Sequence, residues 1–214
     1  MSTFKLPIAI MGYDMGILKS DHDPLWPYRK AYGAPKRARK SVDPAIWQAE
    51  SIVWYSQEVT RRLGAEAFAR YVTAFGYGNR DVSDRNGRPG LTESWLMSSL
   101  EISPDEQVVF LAKFVNGALP VSQDAQRKAR AITPQFRTDG WLVHGKTGSG
   151  WLRNSLGAVD YERPLGWFVG WAERDGRRVV FARMRVEAGK AVGPSGLRLR
   201  EEFLAELPGL MKGR

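Results

Sequence analysis

The sequence contains no cysteine, so it forms neither disulfides nor thiolate-based catalytic or zinc sites. It has only two histidines, His22 and His144, too few for a multi-histidine metal site and unfavourable for a Ser-His-Asp triad. His144 lies in an apolar run two residues before Lys146, and we interpret it as a structural residue rather than a proton carrier. These shortages predict a protein without a metal site.

Long hydrophobic runs are also missing. No segment approaches the ~20 apolar residues that a membrane-spanning helix needs, so we expect no membrane span. The chain has 214 residues, 43% of them hydrophobic, which suffices for the core of a single domain spanning 1–214. The residues after Met1 do not resemble a signal peptide. The sequence leaves open whether the protein is a monomer or a homodimer.

Acidic residues are fewer than basic ones, 23 against 32, and the formal net charge is +9. Such a charge predicts a general attraction for anions. One basic cluster stands out: Arg29, Lys30, Lys36, Arg37, Arg39 and Lys40. Because Gly33 and Pro35 interrupt it, we interpret the cluster as an irregular, solvated loop. No nucleic-acid motif accompanies it, so no specific nucleic-acid partner is predicted.

The region 1–135 is predicted to be mainly helical. Apolar periodicity and capping signals predict helices at 2–15, 43–63, 65–75, 103–115 and 122–131. Asp43-Pro44 combines an N-capping acid with proline at the first helical position, and 103–106 has the pattern of a capping box. Residues 83–89 are rich in turn formers and predict a surface loop.

The region 139–214 has a different character. Aromatic and β-branched residues predict strands at 141–146, 165–174 and 178–186, with a hairpin turn at Asp175-Gly176. An amphipathic pattern predicts a closing helix over 197–207. The chain is therefore predicted to be an α+β protein, a helical region plus an antiparallel sheet of about three strands.

Two short motifs carry chemistry. Ser2 and Lys5 are three positions apart, hence on one face of a helix, and a lysine whose pKa is lowered by burial can activate a serine. At the end of a predicted strand, Lys146-Thr147-Gly148 can hold a substrate carboxylate, and the glycine lets substrate lie against the strand edge. The first motif is common by chance and the second is rarer, but together and in this order they are the signature of serine β-lactamases and penicillin-binding proteins.

The middle motif of that signature, S-D-N, is absent, and Ser51-Ile52-Val53 stands inside the second predicted helix instead. With this replacement the chain resembles the class D (oxacillinase-type) β-lactamases over essentially its whole length. Further segments that resemble the family are Tyr77-Gly78-Asn79, Ser94-Trp95-Leu96, 101–108, 166–171 and 197–200. The resemblance implies a penicillin-recognising serine β-lactamase/transpeptidase-like fold.

The resemblance implies catalytic roles for four residues. Ser2 would become acylated by the β-lactam, and Lys5, N-carboxylated by carbon dioxide, would be the general base. Ser51 would pass a proton to the lactam nitrogen, and Lys146 would keep the site electropositive. The carbamate on Lys5 is the only cofactor-like group expected.

It also implies a pocket and a binding surface. Val53, Trp95 and Leu96 would line the carbamate pocket, with the Trp95 indole N–H holding a carbamate oxygen. Thr147, Gly148, Ser149 and Arg200 would bind substrate, and the N–H groups of Ser2 and Ser149 would form the oxyanion hole. Three alternatives stay open: Arg200 as a surface cation, Trp95 as plain core, and 77–79 as a structural turn.

The chain departs from the family at its start, where only Met1 precedes the first motif. The family has an export signal and further strands there, so we expect the N-terminal strands to be absent, and hydrolysis by this chain to be weak or absent. The location expected for the family is the periplasm. The alternative function is a penicillin sensor that is acylated but does not turn over. The preferred class of β-lactam is not readable from the sequence.

Overall fold

A computed structural model describes residues 1–154, 158–190 and 192–212. A 3-10 turn at Ser2–Phe4 leads into the first helix. The helices are α1 Lys5–Asp14, α2 Pro44–Glu50, α3 Val53–Leu63, α4 Ala65–Phe75, α5 Gly90–Glu93, α6 Pro104–Val115, α7 Gln123–Ala131 and α8 Ser195–Leu210. The strands are β1 Gln135–Thr138, β2 Trp141–Arg153, β3 Val159–Arg174 and β4 Arg177–Val186.

Helix α1 lies at the centre of the helical region. Its residues Leu6, Ile8 and Ile10 are at most 1% exposed, and it packs against α3 and α7. A helix that is apolar on all sides is stable only when it is enclosed by other elements. The polar residue at its first turn, Lys5, is therefore carried into the core with it.

The strands form one antiparallel sheet in the order β1-β2-β3-β4. Strand β2 pairs with β3 so that Lys146 lies opposite Val169 and Gly148 opposite Trp167. Helix α8 packs across the sheet, mainly on β3 and β2. The predicted α+β fold is confirmed, and the sheet brings 146–149 next to the start of α1.

Several predicted elements match closely, including α4, α6 and α7. The predicted capping box is present, since the Ser103 hydroxyl accepts from the Glu106 N–H at 3.3 Å and the Glu106 carboxylate accepts from the Ser103 N–H at 2.8 Å. Among the residues that the structure describes, the sheet has four strands rather than about three, because the short β1 adds to β2. Strand β2 ends later and strand β3 begins earlier than predicted.

The predicted continuous helix over 43–63 is wrong. Asp43 does cap α2, accepting from the Ile46 N–H at 2.7 Å, but α2 ends at Glu50. Ser51 adopts a left-handed conformation with φ 59°, and a new helix, α3, starts at Val53. A left-handed residue cannot continue a right-handed helix.

The part of the chain that the structure describes lacks two features. No helix there is both long enough and apolar enough to cross a membrane. No group of three or more His, Asp or Glu side chains there could hold a metal ion.

Candidate active site

The first motif forms a serine–lysine pair. The Lys5 amine donates a hydrogen bond to the Ser2 hydroxyl at an Nζ–Oγ distance of 3.0 Å. Lys5 is 0% exposed, and burial, assisted by the positive charges of Lys146 and Arg37, holds its pKa well below the usual range. A neutral amine beside a hydroxyl can remove its proton, so the pair has the geometry of a nucleophile and its base.

A residue that the sequence analysis missed, Gln48, supports this pair. Its side-chain amide donates to the backbone carbonyl of Lys5 at 2.9 Å, and the residue is 0% exposed. Gln48 therefore fixes the first turn of α1 from α2. The sequence offered no separate signal for it, because a glutamine inside a predicted helix is ordinary.

The Ser2 end of the pair borders a cavity of about 290 Å³. Six predicted site residues line it: Ser2, Ser51, Lys146, Thr147, Ser149 and Arg200. Lys5 and Gly148 do not line it. An added Cβ at Gly148 would come within 3.1 Å of the Met1 side chain and 3.5 Å of the Ser2 backbone nitrogen, so this glycine lets the first turn pack closely against β2.

Two cations stand on the sheet side of the cavity. Lys146 is 3% exposed, and burial, with the charge of Arg200 as second cause, lowers its pKa to about 7. Arg200 projects from α8, contacts the ring of Phe136 at 4.7 Å and donates through Nε to Glu201 at 2.9 Å. Arg200 thus lines the cavity, and its role in substrate binding stays a prediction.

The residues predicted for a carbamate pocket do not line this cavity. Trp95 is 1% exposed and stacks on Phe4 at 5.4 Å between ring centroids, and its indole N–H is buried without a hydrogen-bond partner. Leu96 is half-buried against the core, whereas Val53 is 36% exposed at the start of α3. The pocket itself therefore stays a prediction.

A second, larger cavity of about 430 Å³ lies beside Trp95 and Phe4. Its lining contains neither Ser2 nor Lys146. It is mostly apolar, so cavity size does not locate the chemistry in this protein.

The segment 77–79 has a structural role. The Tyr77 hydroxyl accepts from Gln107 at 2.8 Å, and the Asn79 amide donates to the carbonyl of Ser99 at 2.8 Å. These bonds fasten the segment after α4 to helix α6 and to the loop at Ser99, outside the cavity. His144 is structural as well, since its ring stacks on Trp171 at 4.7 Å between centroids and burial lowers its pKa.

The assembled geometry is that of a serine hydroxyl beside a buried lysine at a cavity lined by Lys146 and Arg200. A family model described as "Penicillin binding protein transpeptidase domain" matches residues 1–208. Beta-lactamase OXA-9 of Klebsiella pneumoniae is 53% identical over 214 residues, covering 98% of this chain and 78% of that relative. Beta-lactamase OXA-1 of Escherichia coli is 35% identical over 185 residues, covering 84% of this chain and 63% of that relative.

Solved structures agree with the sequence relatives. The crystal structure of the OXA-427 class D β-lactamase superposes with a TM-score of 0.91 at 41% identity, covering 99% of this chain and 88% of that one. The chain belongs to the class D β-lactamases, and the family resemblance inferred from its motifs is confirmed.

Proposed function

We propose that this chain hydrolyses the β-lactam ring of penicillin-type antibiotics through an acyl-enzyme on Ser2. The observation that carries the proposal is the hydrogen bond of 3.0 Å between the Ser2 hydroxyl and the fully buried amine of Lys5. Relatives that are named β-lactamases and are up to 53% identical support the same reaction. The periplasmic location expected for the family is part of this proposal.

In the acylation step the Ser2 hydroxyl gives its proton to the base at position 5 and its oxygen bonds to the lactam carbonyl carbon. The N–H groups of Ser2 and Ser149 stabilise the oxyanion that forms. The ring C–N bond then breaks as Ser51 gives its hydroxyl proton to the nitrogen. Ser51 in turn takes back the proton that the base at position 5 received from Ser2, so the base is free again and Ser2 is left as an ester.

In the deacylation step a water molecule gives a proton to the same base, and its oxygen bonds to the ester carbonyl carbon. The ester C–O bond breaks, and the Ser2 oxygen takes the proton back. The product is the ring-opened acid, with a new carboxylate and a secondary amine. The base at position 5 thus serves both half-reactions.

We further propose that Lys5 carries a carbamate formed from carbon dioxide. Carbamate formation requires a neutral amine, and burial keeps the pKa of Lys5 low enough to supply one. The buried, unpartnered indole N–H of Trp95 is a donor that suits an anionic oxygen. When present, the carbamate supplies the general base.

Residues on the sheet side of the cavity orient the substrate. Lys146, Thr147 and Arg200 together offer two positive charges and a hydroxyl for the carboxylate that penicillins carry. Gly148 lies between Thr147 and Ser149 on β2, and its missing side chain lets the turn at Ser2 pack closely against this strand.

The test is the intact mass of the protein over time after mixing with benzylpenicillin and bicarbonate. We expect one penicillin mass to add and then to decay slowly as hydrolysed product accumulates, in agreement with the weak hydrolysis expected from the sequence. The S2A variant should show no addition, whereas S41A, a change at an exposed serine, should behave like the parent.

Other outcomes have distinct meanings. An adduct that persists in bicarbonate would favour the penicillin-sensor function over hydrolysis. Absence of any adduct on the parent protein would overturn the proposal. A carbamate on Lys5 should give a ¹³C resonance from labelled bicarbonate that is missing in K5A.

A further inference from the structure

The basic segment 29–40 is an irregular loop, as predicted, but the core anchors it. Ala38 is 3% exposed, and its carbonyl accepts from the Trp54 indole N–H at 2.8 Å. Within the loop, the Arg39 guanidinium donates to the carbonyl of Ala34 at 2.8 Å. The loop therefore holds its cations in defined positions rather than freely in solvent.

One of these cations, Arg37, stands at the rim of the catalytic cavity. Its guanidinium donates through Nη1 to the carbonyl of Glu50 at 3.1 Å, and Glu50 and Ser51 both line the cavity. Its charge is close enough to Lys5 to contribute to the lowered pKa of that amine. Arg37 itself is exposed, so an anion in the cavity mouth can reach it.

The surroundings leave the charge of Arg37 unneutralised. Arg37 bonds to the backbone carbonyl of Glu50, whereas the side-chain carboxylate of Glu50 already pairs with the Lys40 amine at 2.5 Å. Among the residues that the structure describes, no carboxylate lies within ion-pair distance of Arg37. Arg37 therefore gives the helical rim of the cavity a positive charge that is independent of Lys146 and Arg200.

The cavity thus has two cations lining one wall and a third, Arg37, bonded from outside to the backbone of Glu50 in the other wall. Lys146 and Arg200 stand on the wall formed by β2 and α8, and Arg37 stands beside the end of α2. A β-lactam with a single carboxylate satisfies the first wall only. A second carboxylate on the substrate would be attracted by the other wall, because opposite charges attract strongly where water is partly excluded.

Resting on the proposed β-lactam hydrolysis, we propose that Arg37 is a specificity-determining residue that favours β-lactams whose side chain carries a second carboxylate. Its role is binding rather than chemistry. The guanidinium suits a carboxylate through two parallel N–H donors, of which the Glu50 carbonyl uses only Nη1.

The test compares benzylpenicillin with α-carboxybenzylpenicillin, which differs from it by one side-chain carboxylate. The quantity measured is kcat/KM for α-carboxybenzylpenicillin divided by kcat/KM for benzylpenicillin. R37Q should lower this ratio about fivefold, which is the upper end of the effect of an exposed ion pair. Any effect of Arg37 on the pKa of Lys5 acts on both penicillins and cancels in the ratio.

A matched control is K36Q, which removes the same charge from the exposed neighbouring residue. It should leave the ratio unchanged. In the parent protein, raising the salt concentration should reduce the preference for the dianionic penicillin, because salt screens exposed charges.

The possible results separate the two proposals. If benzylpenicillin is hydrolysed but R37Q leaves the ratio unchanged, or K36Q lowers it equally, the inference on Arg37 is overturned and hydrolysis stands. If the parent hydrolyses neither penicillin, the ratio of acylation rates at Ser2 is measured by intact mass instead. If neither penicillin acylates the parent, the proposed function and the inference fail together.

Discussion

The helical wall and the sheet wall of the cavity differ in the position of their buried lysine: Lys146 lines the cavity on the sheet wall, whereas Lys5 lies behind Ser2 and does not line it. Lys5, from the central helix α1, is fully enclosed, and its pKa is held well below the usual range. Lys146, from β2, is also buried but reaches the side where Arg200 stands, and its pKa is about 7. The enclosed lysine is therefore suited to be a neutral base, and the lysine of the sheet wall to be a cation that a carboxylate stabilises.

The strongest test of this difference is K5M, which keeps the length of the side chain and removes the amine. Loss of the general base should lower kcat for benzylpenicillin by about 10³-fold or more. The fold should become more stable, because burying the lysine opposes folding. Turnover assays and urea unfolding measure the two effects.

The pH dependence of the stability gain in K5M shows whether the gain comes from removing the ionisable amine of Lys5. The folded pKa of Lys5 lies below the unfolded value of about 10.4, so between the two the unfolded chain holds more protons. Stability of the parent therefore rises with pH through this window, and the advantage of K5M shrinks toward about pH 10. The exposed Lys113 in α6 provides a control, K113M, which should show no such trend. An equal gain at pH 6 and pH 9 would contradict the assignment.

A second test addresses the sheet wall. If the Lys146 cation binds the substrate carboxylate, kcat/KM for benzylpenicillin should fall as the pH rises through about 7. In K146R the guanidinium stays charged, so this alkaline decline should disappear, although the bulkier group should lower kcat/KM at pH 6 about tenfold. If kcat/KM declines equally at alkaline pH in the parent and in K146R, the decline belongs to a group other than Lys146.

The smallest expected effect concerns the helical wall alone. D43A removes the cap of α2, and S103A removes the cap of α6, far from the cavity. Each should lower the free energy of unfolding by about 1 kcal/mol. Only D43A should also reduce kcat, about two- to fivefold, because α2 ends directly before Ser51. Equal kcat values in both variants would show that the cap does not position Ser51.

Much of the fold was predictable from local signals in the sequence. The capping box at 103–106 and the glycines after α3 and α4 act through neighbouring backbone atoms, so the sequence is enough to read them. The turn at Asp175-Gly176 has positive φ at both residues, as a tight hairpin requires. The serine–lysine pair followed from helical spacing in the same way.

The remaining features depend on contacts that are distant in sequence. Neither glycine nor proline marks the break at Ser51, and the short strand β1 carries only the residues QFRT, so no local pattern predicted either. The positions of Gln48 on the Lys5 carbonyl and of Arg37 on the Glu50 carbonyl follow from how α2 and the basic loop pack. Residue type alone could not distinguish these side chains from ordinary surface glutamines and arginines.

The left-handed backbone at Ser51 has a consequence for how this position tolerates replacement. Glycine is the residue that adopts φ 59° most readily, but it lacks the hydroxyl that the proposed proton delivery needs. A selection for thermal stability alone would therefore move position 51 toward glycine, and a selection for antibiotic resistance would hold it at serine. The two selections would favour different residues at position 51. A mutational scan under both would therefore identify Ser51 as a site where the residue needed for function lowers the stability of the fold.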